Sequence, residues 1–171
     1  MKLKNIMLLL IVATFISSCI FNGNDDDIPF EPSQSVYEPI KMPRNEFENT
    51  TQLLPPRAII NSGKIYIKGH LLFINEVNEG FHVFNNSNPA TPENIGFLKI
   101  LVSTDLAIKN DVIYSNNGPD LIAIVTNIEN RTIGITKRVV YTFPDAMSFS
   151  PDGFYFPTQE NEIIIGYQLI Q

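Results

Sequence analysis

Ile65-Tyr66-Ile67-Lys68-Gly69-His70-Leu71-Leu72-Phe73-Ile74 decides the fold, because the chain writes this pattern three times. The second version is Leu106-Ala107-Ile108-Lys109-Asn110-Asp111-Val112-Ile113-Tyr114-Ser115, and the third is Met147-Ser148-Phe149-Ser150-Pro151-Asp152-Gly153-Phe154-Tyr155-Phe156. They align without gaps at a spacing of 41 residues. Large apolar residues recur in register: Ile65, Leu106 and Met147; Ile67, Ile108 and Phe149; Phe73, Tyr114 and Tyr155. Each version is a pair of short apolar segments around a turn, the pattern of a half-buried β-hairpin. Several strands repeating every 40 to 50 residues or so are the signature of propeller-type arrays, in which each unit buries its apolar face on the next. The nine recurring positions are therefore expected to form the repeat core.

Further apolar segments follow each hairpin. The third strand of each unit is expected at Gly80 to Phe84, Asp120 to Val125 and Glu162 to Tyr167, and a fourth strand at Ile95 to Ile100 and Ile133 to Val140. Four short strands in about 40 residues make one propeller blade. Ile, Val, Phe and Tyr dominate the strands, and Gly, Asn, Asp and Pro separate them. The fold class is thus all-β: antiparallel four-stranded blades over 57–171, about two and a half of them, in an incomplete ring. The third unit lacks its own fourth strand, which Pro56 to Ile60 is placed to supply. Without that closure the array has open edges, which invite pairing with another copy or another protein.

The N-terminal 56 residues read differently. Lys2 and Lys4 precede an apolar run from Ile6 to Ile16, which is too short to cross a hydrocarbon core about 30 Å thick. Residues 1–18 are expected to be a secretory signal peptide. Ile16-Ser17-Ser18-Cys19 resembles the lipobox of bacterial lipoproteins, which implies cleavage before Cys19 and lipidation of it. Several acyl chains at about 0.8 kcal/mol per buried CH₂ make such an anchor effectively permanent. Cys19 is the only cysteine, so none remains for a disulfide, a metal site or catalysis. Residues 19–56 carry six of the twelve prolines and little hydrophobic periodicity, the composition of a flexible tether. A short helix is expected near 43–51, with Pro43 at its first position and acids in its first turn. Asp25, Asp26 and Asp27 read either as a solvated acidic run or, by resemblance to surface lipoproteins of Bacteroidota-type bacteria, as an export signal.

The chain of 171 residues has 12 basic and 18 acidic residues and a net charge of −6. Loss of Lys2 and Lys4 with the signal makes the mature chain more acidic still. Nucleic acid asks for a basic patch, and anionic lipid does too, so neither fits the folded body.

Gly63 to Gly69, Phe73 to Glu76, Gly80 to Val83 and Asn88-Pro89, with Thr104 to Lys109 and Asp120 to Ile124, resemble the LVIVD-repeat β-propeller lipoproteins of Bacteroidota. Leu121-Ile122-Ala123-Ile124-Val125 stands where the name-giving strand would be, with Ala123 as a departure and no aspartate after it. The resemblance spans about 57–171 and implies a lipid-anchored outer-membrane protein facing the cell exterior. It supplies no reaction to carry over.

Reactive constellations are sparse. The two histidines, His70 and His82, fall in a turn and on a strand, and both read as structural or surface residues. No H-x-x-H, C-x-x-C or H-E-x-x-H spacing, phosphate loop or G-x-S-x-G elbow occurs. Glu76 with Glu79 and Glu160 with Glu162 are carboxylate pairs of the kind glycosidases use, though solvated acids are the commoner explanation. Tyrosines and phenylalanines offer a stacking face for a glycan, yet they fall at repeat-equivalent positions that strand-core and inter-blade packing explains better. No catalytic residue, metal or cofactor is expected. The expected function is a non-catalytic binding or assembly module. Its partners would be the membrane, through Cys19, and a protein or second copy at the open edges. The alternatives are a polysaccharide-processing hydrolase on the same scaffold and a structural component of the envelope.

Overall fold

The hairpins are present as β-ladders in a computed structural model, which describes residues 34–127 and 132–171. Strands β3 (Ser62–Lys68) and β4 (Leu71–Glu76) are the first hairpin, and β5 (Gly80–Asn85) and β6 (Glu93–Lys99) complete its unit. The second unit is β7 (Leu106–Lys109), β8 (Val112–Asn117), β9 (Asp120–Asn127) and β10 (Thr132–Val139). Both run as antiparallel meanders. Two-residue loops close the first hairpin of each: Gly69-His70, with Gly69 at φ 59°, and Asn110-Asp111, both with positive φ as a type I′ turn demands.

The third unit departs from its relatives. Its hairpin shrinks to a single bridge between Phe149 and Tyr155, beside a 3₁₀ turn at Ala146–Ser148. Pro151, which cannot donate to a ladder, stands in its loop. The third strand, β11 (Glu162–Leu169), is long and regular, and its partner comes from the N-terminal side: β1 (Tyr37–Pro43) pairs with it antiparallel, Tyr37 opposite Leu169 and Pro43 opposite Glu162. The expected closure by Pro56 to Ile60 is therefore corrected. The missing strand is supplied about twenty residues earlier, in a stretch whose two prolines made it read as linker. An edge strand tolerates proline, because one of its sides has no ladder to feed.

Of the expected tether over 19–56, the part from residue 34 on is corrected for the same reason, while residues 19–33 lie outside the described residues. Residues 34–171 form one compact unit. After β1 come helix α1 (Arg44–Glu48) and strand β2 (Gln52–Leu54), which adds to the outside of β6. The helix lies inside the expected 43–51 span, with Pro43 as its N-cap rather than its first residue. Residues 1–18, Cys19, Asp25, Asp26 and Asp27 lie outside the described residues.

The result is an all-β unit of antiparallel, propeller-like blades with no closed barrel: a five-stranded sheet β2-β6-β5-β4-β3, a four-stranded sheet β10-β9-β8-β7 and a two-stranded sheet β1-β11. The first two pack face to face. Phe73, Phe81, Val83 and Leu98 of the first sheet meet Leu106, Ile113, Ile122 and Ile124 of the second. Fully burying one such side chain contributes about 1.5–3 kcal/mol, so this interface is the main source of cohesion. A smaller cluster joins Phe47 of α1 to Val102 and to Ile163 of β11, with Met42 and Met147 against it.

The nine recurring positions differ in burial. Phe73 and Leu106 are buried, and Ile108, Tyr114 and Met147 are half-buried. Ile65, Ile67, Phe149 and Tyr155 are corrected, being exposed at 62%, 67%, 57% and 62%. Alternation assigns a residue to a face of its sheet, but burial needs a neighbour on that face. Ile65 and Ile67 stand on the outer face of the first sheet, with no sheet before it among the described residues. Phe149 and Tyr155 stack on each other, ring centres 5.4 Å apart, in a hairpin too short to be covered.

Candidate functional site

The second and third units do not close on each other as the first and second do. Between them lies a cleft of about 730 Å³. One wall is the face of the second sheet that looks away from the first, with Ala107, Tyr114 and Leu121. The other is the segment Phe143-Pro144 and Ala146-Met147. Val102 and Asn116 lie at one end. The volume falls in the range of small-ligand sites, which are mostly apolar with few polar groups. Its walls include Leu106, Tyr114 and Met147 of the repeat-core set. Tyr114, on the face of the second sheet that looks away from the first, meets Met147 of the third unit across the cleft, and Leu106 borders it.

A second cavity of about 450 Å³ sits at the hairpin tips of the first two units, among His70, Phe73, Asn85, Ile108 and Asp111. It is smaller and bounded by turn residues, so the interblade cleft is the stronger candidate.

Polar groups around the cleft are mostly committed to structure. The Asn116 side chain accepts from the N–H groups of Thr104 (2.9 Å) and Asp105 (3.2 Å) and donates to the Val102 carbonyl (2.8 Å). Ser115 Oγ donates to the Asp105 carbonyl at 2.8 Å. The Asp105 carboxylate receives Lys64 Nζ at 2.5 Å and the Tyr66 hydroxyl. Hydrogen bonds from Lys64 and Tyr66 hold its pKa below the usual carboxylate range. Burial and the neighbouring carboxylate push Tyr66 up to about 12. The Tyr114 hydroxyl and the Asn78 side-chain amide, in contrast, make no hydrogen bond within the described residues, so they are polar groups the cleft can offer a ligand. Val102 holds φ 55°, a costly conformation for a β-branched residue. Three hydrogen bonds fix it: its N–H to the Asn78 carbonyl (2.7 Å), and its carbonyl to the Gly118 N–H (3.2 Å) and the Asn116 amide.

Two buried ionic groups were not legible as sites. Asp120, at the start of β9, is fully buried. It accepts from Arg44 Nη2 at 2.6 Å, Arg138 Nη1 at 2.7 Å and the Tyr141 N–H at 3.2 Å. Burial alone would raise its pKa; the two arginines and the N–H outweigh it, and the pKa is lowered. The Arg44 guanidinium also lies 4.9 Å from the Tyr141 ring centre. This cluster ties α1 to the second sheet. Glu76, buried at the end of β4, bonds His82 Nε2 at 2.8 Å, the Ile60 N–H at 3.0 Å and the Asn61 N–H. Burial works to raise the Glu76 pKa, but these donors more than offset it and the pKa is lowered. Glu79 turns away to Arg57 at 2.5 Å. The Glu76–Glu79 pair is thus a latch for residues 57–61 rather than two carboxylates facing a substrate.

His82 is fully buried, behind Phe97 and against Glu76, rather than at the surface. His70 is exposed in its turn. Among the described residues no cluster of three His, Cys, Asp or Glu could hold a metal ion, and no helix is long and apolar enough to cross a membrane. One sequence signal could have found the Asp105 cluster: Lys64 and Asp105 are 41 residues apart, opposite charges at one repeat position of neighbouring units. No protein-family model matches the chain, and neither a curated protein nor a solved structure does.

Proposed function

We propose that the chain is a surface-exposed outer-membrane lipoprotein, anchored through Cys19, whose β-blade unit is a non-catalytic binding module. The resemblance to LVIVD-repeat lipoproteins and the lipobox-like Ile16 to Cys19 support the address. The observation that carries the binding role is the interblade cleft: apolar walls from two units, about 730 Å³, with the Tyr114 hydroxyl and the Asn78 amide as uncommitted polar groups. Such a site favours a ligand with an apolar or ring face and a few hydrogen-bonding groups. The carboxylate that lines it, Asp105, is held by the Lys64 ammonium and the Tyr66 hydroxyl, an arrangement suited to rigidity rather than proton transfer.

Three measurements test this reading. The chain titrated with the apolar dye anilinonaphthalene sulfonate should show saturable fluorescence, and Ala107→Trp, which fills the cleft from an exposed position, should abolish it. A glycan array, with every bound species checked by mass, separates binding from turnover. Dye binding untouched by Ala107→Trp would remove the cleft from the account, and shortened glycans would replace the module with a hydrolase. Protease added to intact cells should shave the β-unit if it faces outward.

A further inference from the structure

The two sheets that share the main core bring a lysine and an aspartate together twice, and the two places differ. At one end they touch: Lys64 Nζ of β3 lies 2.5 Å from the Asp105 carboxylate, to which the Tyr66 hydroxyl also donates. Lys68 stands on the same face of β3, four residues or about 13 Å of extended strand beyond Lys64. Asp111, in the turn after β7, is the acid at that end of the second sheet. There the sheets do not close. The cavity of about 450 Å³ opens between them, with Lys68 and Asp111 both in its lining. No ion pair joins the two, and neither side chain has a hydrogen-bond partner among the described residues. Asp152, one 41-residue spacing after Asp111, shows what a committed acid looks like at this repeat position. It accepts from Ser35 Oγ and from the Val36 N–H, both at 2.9 Å. Away from its charged rim the cavity is mainly apolar: Phe73 and Ile113 are buried in it, and Leu71 and Ile108 are half-buried along its walls. Small-ligand sites have this make-up, mostly apolar with a few polar groups that fix orientation, in about 300–1,000 Å³.

We infer that this cavity binds an apolar α-amino acid, its side chain against Phe73 and Ile113, its carboxylate toward Lys68 and its ammonium toward Asp111. A zwitterion carries both charges on one carbon, so it bridges the two hairpin tips as direct contact bridges Lys64 and Asp105. A neutral apolar ligand leaves both rim charges without a partner. A plain carboxylate or a plain amine gains one partner and meets one like charge. The site is separate from the interblade cleft, with which it shares no lining residue.

Equilibrium dialysis of labelled L-leucine and L-phenylalanine against the full-length chain in detergent micelles tests this inference. Both should bind saturably. Isopentylamine and isocaproate, which are leucine without its carboxylate and without its ammonium, should each bind about tenfold more weakly or worse, the worth of one charge-assisted contact. Lys68→Met and Asp111→Asn should each weaken leucine binding about tenfold. Both residues are exposed, so urea unfolding of these variants should match that of the natural chain. Two further variants fix the place. Lys109→Met removes an exposed lysine outside the cavity lining, and Ala107→Trp fills the interblade cleft; leucine should bind both as it binds the natural chain. No saturable binding of either amino acid would overturn the inference, as would isocaproate or isopentylamine binding as tightly as leucine. An equal loss from Lys109→Met would reduce the binding to general charge and overturn it too. A loss from Ala107→Trp with none from Lys68→Met would do the same, by moving the amino acid to the interblade cleft.

Discussion

Replacing Asp120 by Asn isolates the electrostatics that hold the N-terminal segment to the blades. The amide keeps the shape of the side chain and can still accept from the Tyr141 N–H, so the loss is that of the charge facing Arg44 and Arg138. Removing one partner of a buried ion pair costs about 3–5 kcal/mol, since the other charge stays behind without compensation. Both guanidiniums keep an edge to solvent, and Arg44 retains Glu48 at 3.0 Å, which places the expected loss near the lower end, about 3 kcal/mol. For a unit of this length that is a fall in Tm of about 10 °C. Urea unfolding at pH 7 measures it. Hydrogen exchange should also quicken in β1 and α1 before it does in β4 and β5, because Arg44 is the link that is cut. The pH dependence gives a separate check. The Asp120 pKa is depressed in the folded state, so as pH falls the unfolded chain, with an aspartate near 3.9, takes up its proton first. The Asp120 contribution is therefore complete above about pH 4 and is lost as pH drops through the depressed folded value, at no more than about 1.4 kcal/mol per pH unit. Asp120→Asn lacks this proton, so the gap between the two proteins should narrow in acid. A loss below about 1 kcal/mol at pH 7, or a gap that stays constant to pH 2, would refute the assignment.

Glu76→Gln should cost about 2 kcal/mol in urea unfolding, because the charged acceptor for His82 and two N–H groups is lost, and hydrogen exchange at Ile60 and Asn61 should rise most. Gly80→Ala should destabilise by more than about 2 kcal/mol, since φ is 142° and a Cβ there would collide with the Leu98 carbonyl oxygen. Gly69→Ala, with φ 59° but open space around it, should cost only about 1 kcal/mol, and the two midpoints compared in one thermal scan check the contrast. Ser35→Ala should loosen the start of β1, where Ser35 Oγ donates to Asp152 at 2.9 Å, and is read as faster cleavage in limited proteolysis.

The repeating sheets were legible because their information is local. Ile65 to Ile74 and Leu106 to Ser115 each alternate, turn and alternate again within ten residues. Partners more than a hundred residues apart left no such trace. Nothing in Tyr37 to Pro43 marks it as the partner of Glu162 to Leu169, and Pro39 and Pro43 argue locally for a linker. Ile65 and Leu106 look alike in sequence, yet one is exposed and the other buried, because among the described residues only the second has a sheet in front of it. Glu76 reads as a turn acid and His82 as a structural or surface residue; their burial depends on the segment from Arg57 to Asn61 folding back over them, a contact that periodicity does not encode. The cleft is legible only in part. Tyr114 and Met147 carry the 41-residue register, but the gap between them arises from the failure of the third hairpin to extend.

Joining the first strand to the last has a consequence for how the protein is made. The third sheet cannot exist until synthesis has passed residue 162, so β1 waits unpaired while the first two sheets assemble. Long-range pairing of this kind slows folding, because a large loop must close before any ladder bond rewards it. Ile170 already hydrogen-bonds Val36 at 2.9 Å, so a circular permutant that fuses residue 171 to residue 34 and opens between residues 54 and 57 would put β1 directly after β11. It should keep every ladder and refold faster than the natural order of the chain.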